Sequence, residues 1–451
     1  MPACTPIVRS PARWPATCVI RVNHLDESAA GPMLYTAYQA LTDFLHPWQQ
    51  AASFVSTSLP GLMAQMPHWP APPGARETAA ACEVFSRLKL THDHPGFGIR
   101  SVTVGEGADA REVPITERVI QRSAFGTLLR FEREDVAEAG DGGHPLPRVL
   151  IVAPLSGHFA TLLADTAQTM LADHDVYITD WHNARLVPLS EGRFGLAEYV
   201  EHVIGFIETL GPGTHLLAVC QPCVPVLAAV ALMAQRQHEA QPRSMTLMAG
   251  PIDTRINPTA VNELANSKPI EWFERNLVHA VPWRYPGANR RVYPGFLQLT
   301  AFVGMNPERH KKAFKDLYKL RVAGDHAPAD ATVRFYDEYF AVNDLPAEFY
   351  LETVAQVFQE HTLPRGEMTV NGERVDLGAI RRTALFTVEG ERDDICAIGQ
   401  TVAAHDLCTG IKPWLKQHHV QLGVGHYGVF SGRRWRQQIY PRVREMIHSL
   451  S

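Results

Sequence analysis

Residues Thr214–Met233 read THLLAVCQPCVPVLAAVALM. The first part, His215–Val219, is a short apolar run behind Gly211-Pro212-Gly213, the pattern of a buried strand. Pro222 and Pro225 admit a helix only if they fall in its first turn, where a missing N–H does no harm. From Val226 to Met233 nothing breaks that helix. Cys220 therefore stands at the hinge between the strand's C-terminal end and the helix N-terminus. A side chain there is thrown clear of the sheet, and the N–H groups of the helix start stabilise negative charge beside it. A thiol so placed gains the thiolate character that a sulfur nucleophile needs. The layout is that of a nucleophile elbow with Cys in place of Ser and without the flanking glycines. Two plainer readings stand beside it: a buried core thiol, and a redox pair in Cys220-Gln221-Pro222-Cys223.

Outward from this stretch the pattern is regular. Strand-like runs at Arg148–Ala153, Val176–Thr179 and Met245–Ala249 alternate with helical spacing at Phe159–Ala172 and Leu196–Leu210. Such alternation predicts a mostly parallel sheet with helices on both faces. It stops near Asn257; as far as Val375 the chain is helical, aromatic and interrupted, with no strand pattern before Val370. It resumes with a strand at Thr383–Val388, a helix at Ala397–Leu407, a weaker strand at Val420–Leu422 and a helix from Arg433, which Pro441 kinks or restarts. Upstream, Met33–Val55 is helical in spacing apart from Pro47, Pro60–Ala75 is a Pro-rich extended connector, and Glu77–Leu90 is helical. Phe97–Val104 and Val113–Glu132 are strand-like, and Asp135–Gly143 is a polar loop. The domain organisation expected is a tail at 1–32, an N-terminal helical segment and Pro-rich connector at 33–96, the first part of an α/β core at 97–256, a helical cap insertion at 257–375, and the second part of the core at 376–451.

With 451 residues, 45% hydrophobic and 20% charged, the chain can bury a large core. A net charge of −5 and the lack of a sustained basic run argue against a nucleic-acid partner. Seven cysteines are too few, and odd in number, for a disulfide framework, so a reducing, cytoplasmic location is expected. No apolar run is long enough to be a transmembrane segment. Residues 1–32 carry no signal-peptide core; they read as a mis-called extension or disordered tail, with Met33 as the start.

Two further sites follow Cys220 at strand ends. Thr383–Val388 runs into Glu389-Gly390-Glu391-Arg392-Asp393-Asp394-Ile395, where a carboxylate is placed to orient a histidine. The last weak strand runs into Gly423-Val424-Gly425-His426-Tyr427-Gly428, a tight loop that can turn His426 toward a cleft. Each piece alone has a plainer reading: Asp393 or Asp394 as a helix N-terminal acid, His426 as one of 21 histidines. His418 and His419 read as structural or solvated. The order nucleophile, acid, histidine is that of α/β-hydrolases.

From Met33 to the C-terminus the chain resembles the intracellular poly(3-hydroxyalkanoate) depolymerases, the polyhydroxybutyrate-mobilising enzymes of bacteria. The resemblance rests on Met33-Leu34-Tyr35, on Val219-Cys220-Gln221-Pro222 with Val224–Ala229 after it, on Val388–Ile395, and on Gly423–Phe430. It implies an α/β-hydrolase fold with a cap and a Cys-Asp-His triad on Cys220, Asp393 and His426. Asp393 is preferred to Asp394 because it takes the G-x-x-D place of similar polyester synthases. In the mechanism expected, Cys220 attacks an ester carbonyl of the polymer while His426 takes the thiol proton. The oxyanion meets the Gln221 N–H and one from Leu155 or Ser156. Neither a metal nor a bound cofactor is called for; water or the thiol of coenzyme A takes the acyl group, and the sequence does not choose between them. The partner implied is the polyester granule surface, with the aromatic insertion as cap, polymer channel or granule contact. A polyester synthase and a non-catalytic granule-coat protein are the alternatives. The Gln221-Pro222 pair, where similar synthases carry Gly at the second position, argues against the first, and the complete triad against the second.

Overall fold

The computed structural model describes residues 34–65, 72–105, 107–139, 146–305 and 307–451. The tail expected at 1–32 lies outside them. In chain order the strands are β1 (Ser101–Val104), β2 (Arg111–Arg122), β3 (Gly126–Arg133), β4 (Arg148–Val152), β5 (Asp175–Trp181), β6 (His215–Val219) and β7 (Ser244–Met248). The insertion then contributes β8 (His279–Ala280), β9 (Arg291–Tyr293), β10 (Leu345–Pro346), β11 (Thr369–Val370) and β12 (Glu373–Arg374), and β13 (Ala384–Gly390) and β14 (Lys416–Gln421) follow. The helices of the first part are α1 (Leu34–Gln65), α2 (Ala75–Arg87), α3 (Glu134–Ala139), α4 (Ala164–Met170), α5 (Leu196–Leu210) and α6 (Cys223–Gln235). Those of the insertion are α7 (Ala260–Asn266), α8 (Ile270–Leu277), α9 (Gly295–Met305), α10 (Pro307–Ala323), α11 (His326–Tyr339) and α12 (Ala347–Thr353); α13 (Ala404–Leu407), α14 (Gly432–Arg434) and α15 (Tyr440–Leu450) close the chain.

Nine strands form one sheet in the order β1-β2-β3-β5-β4-β6-β7-β13-β14. From β5 to β14 every pair is parallel, whereas β3 runs antiparallel to β5. The central strands β6, β7 and β13 are buried at every residue, which is why their sequences are mainly apolar rather than alternating, with the few polar residues, such as Thr387 and Glu389, hydrogen-bonded inside. Helices α5 and α6 cover one face, α4 and α15 the other, each over its own apolar cluster. This strand order, with antiparallel pairing confined to β1, β2 and β3 at the start and helices on both faces, is the α/β-hydrolase fold.

The local differences from the sequence reading have physical causes. Val113–Glu132 is not one strand but the hairpin β2–β3; its turn uses Ser123, whose N–H bonds the Gly126 carbonyl at 2.8 Å and whose hydroxyl takes the Gly126 N–H at 3.1 Å. α1 runs through both Pro47 and Pro60 into the start of the stretch expected as a Pro-rich connector, whose residues 66–71 lie outside those described. Packing on the rest of the protein overrides the lost hydrogen bonds: buried Gln49 ties the helix to the Leu88 carbonyl at 3.1 Å. The polar loop begins as a short helix, α3, with Glu134 and Asp135 in its first turn, where the helix dipole favours them. The insertion carries a small antiparallel sheet, β10-β9-β8, whose two- and three-residue strands are too short to show a period. Between Ala397 and Ala403 the chain makes turns, and only Ala404–Leu407 is α-helical. β14 begins at Lys416, four residues early, because an edge strand reading KQHHVQ needs no apolar face. Pro441 restarts the last helix: a π-helical turn over Trp435–Ile439 precedes it and Pro441 falls in the first turn of α15.

The start of α1 is fastened to the insertion by a buried polar cluster. The Tyr35 hydroxyl donates to Asp344 and accepts from the Arg185 guanidinium, whose Nε lies 3.0 Å away. Arg185 and Asp344 pair at 3.3 Å, and Asp344 also takes the Gly295 N–H at 2.9 Å. Tyr35 and Asp344 are fully buried, so each depends on the others for the charge and hydrogen bonding that water would otherwise supply.

Candidate active site

Cys220 follows the last residue of β6, and its N–H extends the ladder to the Met248 carbonyl of β7 at 2.8 Å. The chain then reverses at once into α6, closing with the Cys223 N–H on the Cys220 carbonyl at 3.1 Å. This forces φ of Cys220 to 67°, in the left-handed region that non-glycine residues rarely enter. Room for the reversal comes from Gly250: a Cβ there would stand 2.2 Å from Cys223 Cβ and 2.3 Å from its Sγ. The half-buried Cys220 side chain thus projects at the C-terminal end of the sheet, while Cys223 is fully buried beneath the turn. The Cys223 thiol points to the Ala218 and Met248 carbonyls at 3.4 and 3.7 Å, and burial pushes its pKa well up. Both cysteines are free, so the pair is not a disulfide in this structure.

Asp393 and His426, 33 residues apart, meet at 2.8 Å, with Nδ1–H of the ring donating to Oδ2. Asp393 lies in the turn after β13 and its side chain is wholly buried. Its other oxygen, Oδ1, accepts the backbone N–H groups of Ile395 and Cys396 at 2.9 and 2.8 Å, which fixes the carboxylate in place. The neighbouring Asp394 is exposed. His426 opens a short 3-10 turn after β14 and is buried. Burial works against a charged ring, but the nearby Cys220 sulfur and the Asp393 carboxylate outweigh it and hold the imidazole well above its usual range. With Nδ1 committed to Asp393, Nε2 is the ring nitrogen left for the thiol. The sequence-read Cys220, Asp393 and His426 are therefore brought together. His418 and His419 are not part of this group: His418 bonds the Thr387 hydroxyl at 2.9 Å and His419 the Gln421 side chain at 3.0 Å.

The loop after β4 lies opposite the elbow. The Leu155 N–H points to the Gln221 side-chain oxygen at 3.4 Å, a long contact, and Gln221 Nε2 is buried with no partner among the described residues. Leu155 and the Gln221 residue are thus juxtaposed, and the Leu155 donor is held only by a weak bond that a stronger acceptor would displace. The Ser156 carbonyl accepts from Gln298 Nε2, and Gly157, at φ 88°, leaves the space that the Gln298 amide fills. The Asn343 N–H bonds the Gly157 carbonyl at 2.8 Å, and His158 bridges to Val342. On the other side Tyr427, next to His426, packs its ring 6.5 Å from Tyr339 of α11. The insertion therefore covers the site from both flanks. Sequence reasoning missed Gln298, Asn343 and Tyr339, since nothing local marks a residue whose partner lies more than 80 positions away.

Glu389, at the end of β13, has a different task from Asp393. It is fully buried, and its oxygens accept N–H groups from Gly399, Thr401 and Val402 at 3.1, 2.8 and 2.9 Å. The Thr401 hydroxyl in turn donates to the Gly250 carbonyl at 2.9 Å and takes the Gly250 N–H at 2.8 Å. This chain of bonds locks the acid-bearing strand to the wall behind the elbow. Among the described residues no cluster of three or more metal-ligating side chains occurs. A sulfur at a strained hinge, an imidazole oriented beside it by Asp393 and nearby N–H donors can together perform acyl transfer, ester cleavage included.

Residues 249–451 match the family described as PHB de-polymerase C-terminus. Among solved structures, a candidate lipase of Acinetobacter baumannii AYE is similar at 14% identity over 74% of this chain and 93% of that one, with a TM-score of 0.41. A monoacylglycerol lipase of Paleococcus ferrophilus shares 14% identity over 68% and 97%, with a TM-score of 0.39. A thermophilic esterase of Thermogutta terrifontis shares 12% over 77% and 98%, with a TM-score of 0.37. Likeness at that level extends to neither substrate nor mechanism. No curated protein matches the chain by sequence. The family match begins just past β7, so Cys220 precedes it while Asp393 and His426 fall inside. Through residues 249–451, which hold the insertion and the second part of the core, the chain is similar to the C-terminal part of the PHB depolymerases.

Proposed function

We propose that this protein is an intracellular poly(3-hydroxybutyrate) depolymerase that cleaves the storage polyester through Cys220, His426 and Asp393. The observation that carries the reading is the Asp393–His426 bond of 2.8 Å beside a cysteine held at φ 67°, in a chain whose residues 249–451 match the PHB depolymerase C-terminus. His426 Nε2 takes the thiol proton as Sγ bonds to an ester carbonyl carbon. The carbonyl electron pair becomes an oxyanion received by the Gln221 and Leu155 N–H groups. Collapse breaks the ester C–O bond; the departing 3-hydroxyl oxygen takes the proton from His426, and the acyl group stays on sulfur as a thioester. His426 then deprotonates water, which attacks the thioester and restores the thiol, releasing 3-hydroxybutyrate or its oligomers. The thiol of coenzyme A in place of water gives 3-hydroxybutyryl-CoA instead.

The test is incubation of purified protein with native amorphous granules, with and without coenzyme A. Soluble 3-hydroxybutyrate or oligomers from the wild type, and none from Cys220→Ala, are expected. Growth of polymer from 3-hydroxybutyryl-CoA, or granule binding without turnover, would overturn the reading. The acyl product in the presence of coenzyme A identifies the acceptor, and cell fractionation checks the granule location.

A further inference from the structure

We infer that the outward face of α1 is the surface by which this protein docks on solid polyester. The inference rests on the polyester reading above and adds where the insoluble substrate is met. Leu41, Phe44 and Trp48 are 58%, 68% and 63% exposed. Their spacing, i, i+3 and i+7, sets them on one side of the helix. Leu34, Ala37 and Ala51 continue the same side, and all three are exposed. An aromatic pair and a leucine so exposed along one helix face form a patch of the kind that marks an interaction surface rather than scattered surface hydrophobics.

The charge pattern selects the occupant. Across its 32 residues α1 carries one formally charged side chain, Asp43, and no Lys or Arg. Asp43 is itself neutralised by Arg284, at 2.8 and 3.0 Å. A helix that bound an anionic lipid surface would present Lys and Arg beside its apolar face. A helix that paired with a second copy as a coiled coil would flank its seam with charges, and Pro47 next to Trp48 interrupts such a seam. A neutral, apolar, ester-bearing surface asks for neither cations nor a straight seam, only for apolar and aromatic contact. The face is also rigidly coupled to the site, since the Tyr35–Asp344–Arg185 cluster fixes the start of α1 to the segment that joins the Gly157 loop through Asn343.

The experiment compares full-length wild type with the double variant Phe44→Glu, Trp48→Glu. The probes are amorphous poly(3-hydroxybutyrate) particles, a soluble 3-hydroxybutyrate trimer ester, and vesicles of phosphatidylcholine with and without phosphatidylserine. The double variant is expected to pellet with particles at least tenfold less, to cleave the trimer within twofold of wild type, and to keep the wild-type mass in sedimentation. Unchanged pelleting overturns the inference. So does a wild-type dimer that the variant dissociates, which assigns the face to a second copy. Equal or tighter binding of wild type to anionic vesicles assigns it to lipid, and Phe44 and Trp48 resisting hydroxyl-radical labelling in the free protein shows that another part of the chain covers it. If the wild type cleaves neither trimer nor particles, the polyester reading itself fails and the docking inference falls with it; trimer cleavage with unchanged particle binding sinks the docking inference alone.

Discussion

Replacing Asp393 by Asn changes one oxygen to an NH2 and nothing in shape, yet the surroundings dictate which way the amide turns. Oδ1 of Asp393 receives two backbone N–H groups, from Ile395 and Cys396. An NH2 at that position would face two donors, so the amide oxygen stays there and the NH2 faces His426. The ring must then accept at Nδ1 and carry its proton on Nε2, the wrong tautomer to receive a proton from Cys220. The reverse orientation forfeits two buried hydrogen bonds at about 1–3 kcal/mol each. A penalty of about 2–6 kcal/mol leaves the working arrangement populated at roughly one part in 30 to one in 20,000. The loss of the carboxylate charge lowers activity further, and a fall of about 10⁴ accompanies the same change in a serine-protease triad. The assay is single-turnover cleavage of the soluble trimer ester, beside Asp394→Asn, whose exposed side chain should leave the rate within about threefold. An Asp393→Asn protein with more than a tenth of wild-type rate, or an Asp394→Asn protein equally slow, refutes the assignment.

Cys220→Ala should abolish ester cleavage, whereas Cys223→Ala should keep most of it at a stability cost of about 1–2 kcal/mol for the small buried void, read by urea unfolding. Iodoacetamide should label Cys220 first, mapped by peptide mass, since the Cys223 thiol is fully buried with its pKa raised; preferential labelling of Cys223 would contradict the elbow. Tyr35→Phe should destabilise by about 2–4 kcal/mol in denaturant, because it strips a hydrogen bond from a buried Arg185–Asp344 pair; a change under 0.5 kcal/mol would show the cluster to be unimportant. Burial lowers His158 and His174 to about 4, while the unfolded chain titrates them near 6.5. Between those values the unfolded state holds more protons, so stability is full above pH 6.5 and falls as pH drops toward 4. A urea midpoint that stays flat from pH 7 to 4.5 would refute this.

The strand–elbow–helix stretch was legible because β6 and α6 are built from local rules: an unbroken apolar run, then prolines confined to a first turn. The acid and the histidine were legible as loops at strand ends, and the choice of Asp393 over Asp394 came from family resemblance rather than from spacing. What escaped has a common cause, which is that it depends on distant chain. The Ser123 turn is the exception, closing locally on Gly126 with no Pro or Asn-Gly pair to mark it, whereas β14 lacks alternation because it is an edge. α1 survives its prolines by leaning on Leu88 and Asp344. The N–H contact of Leu155 with Gln221, and the grip of Gln298 on Ser156, exist only once strands far apart in sequence lie side by side.

The torsion of Cys220 has a consequence for how this protein tolerates change. A left-handed backbone costs a non-glycine residue about 1–2 kcal/mol, and glycine would relieve it while adding about 0.5–1 kcal/mol of chain entropy to lose. The two nearly cancel, so Cys220→Gly should be inactive and yet as stable as wild type, or slightly more so. Thermal selection that does not monitor turnover therefore meets no barrier at the one position where the chemistry is most easily lost. A library ranked by melting temperature alone should tolerate Gly at residue 220, and a library ranked by granule clearance should exclude it.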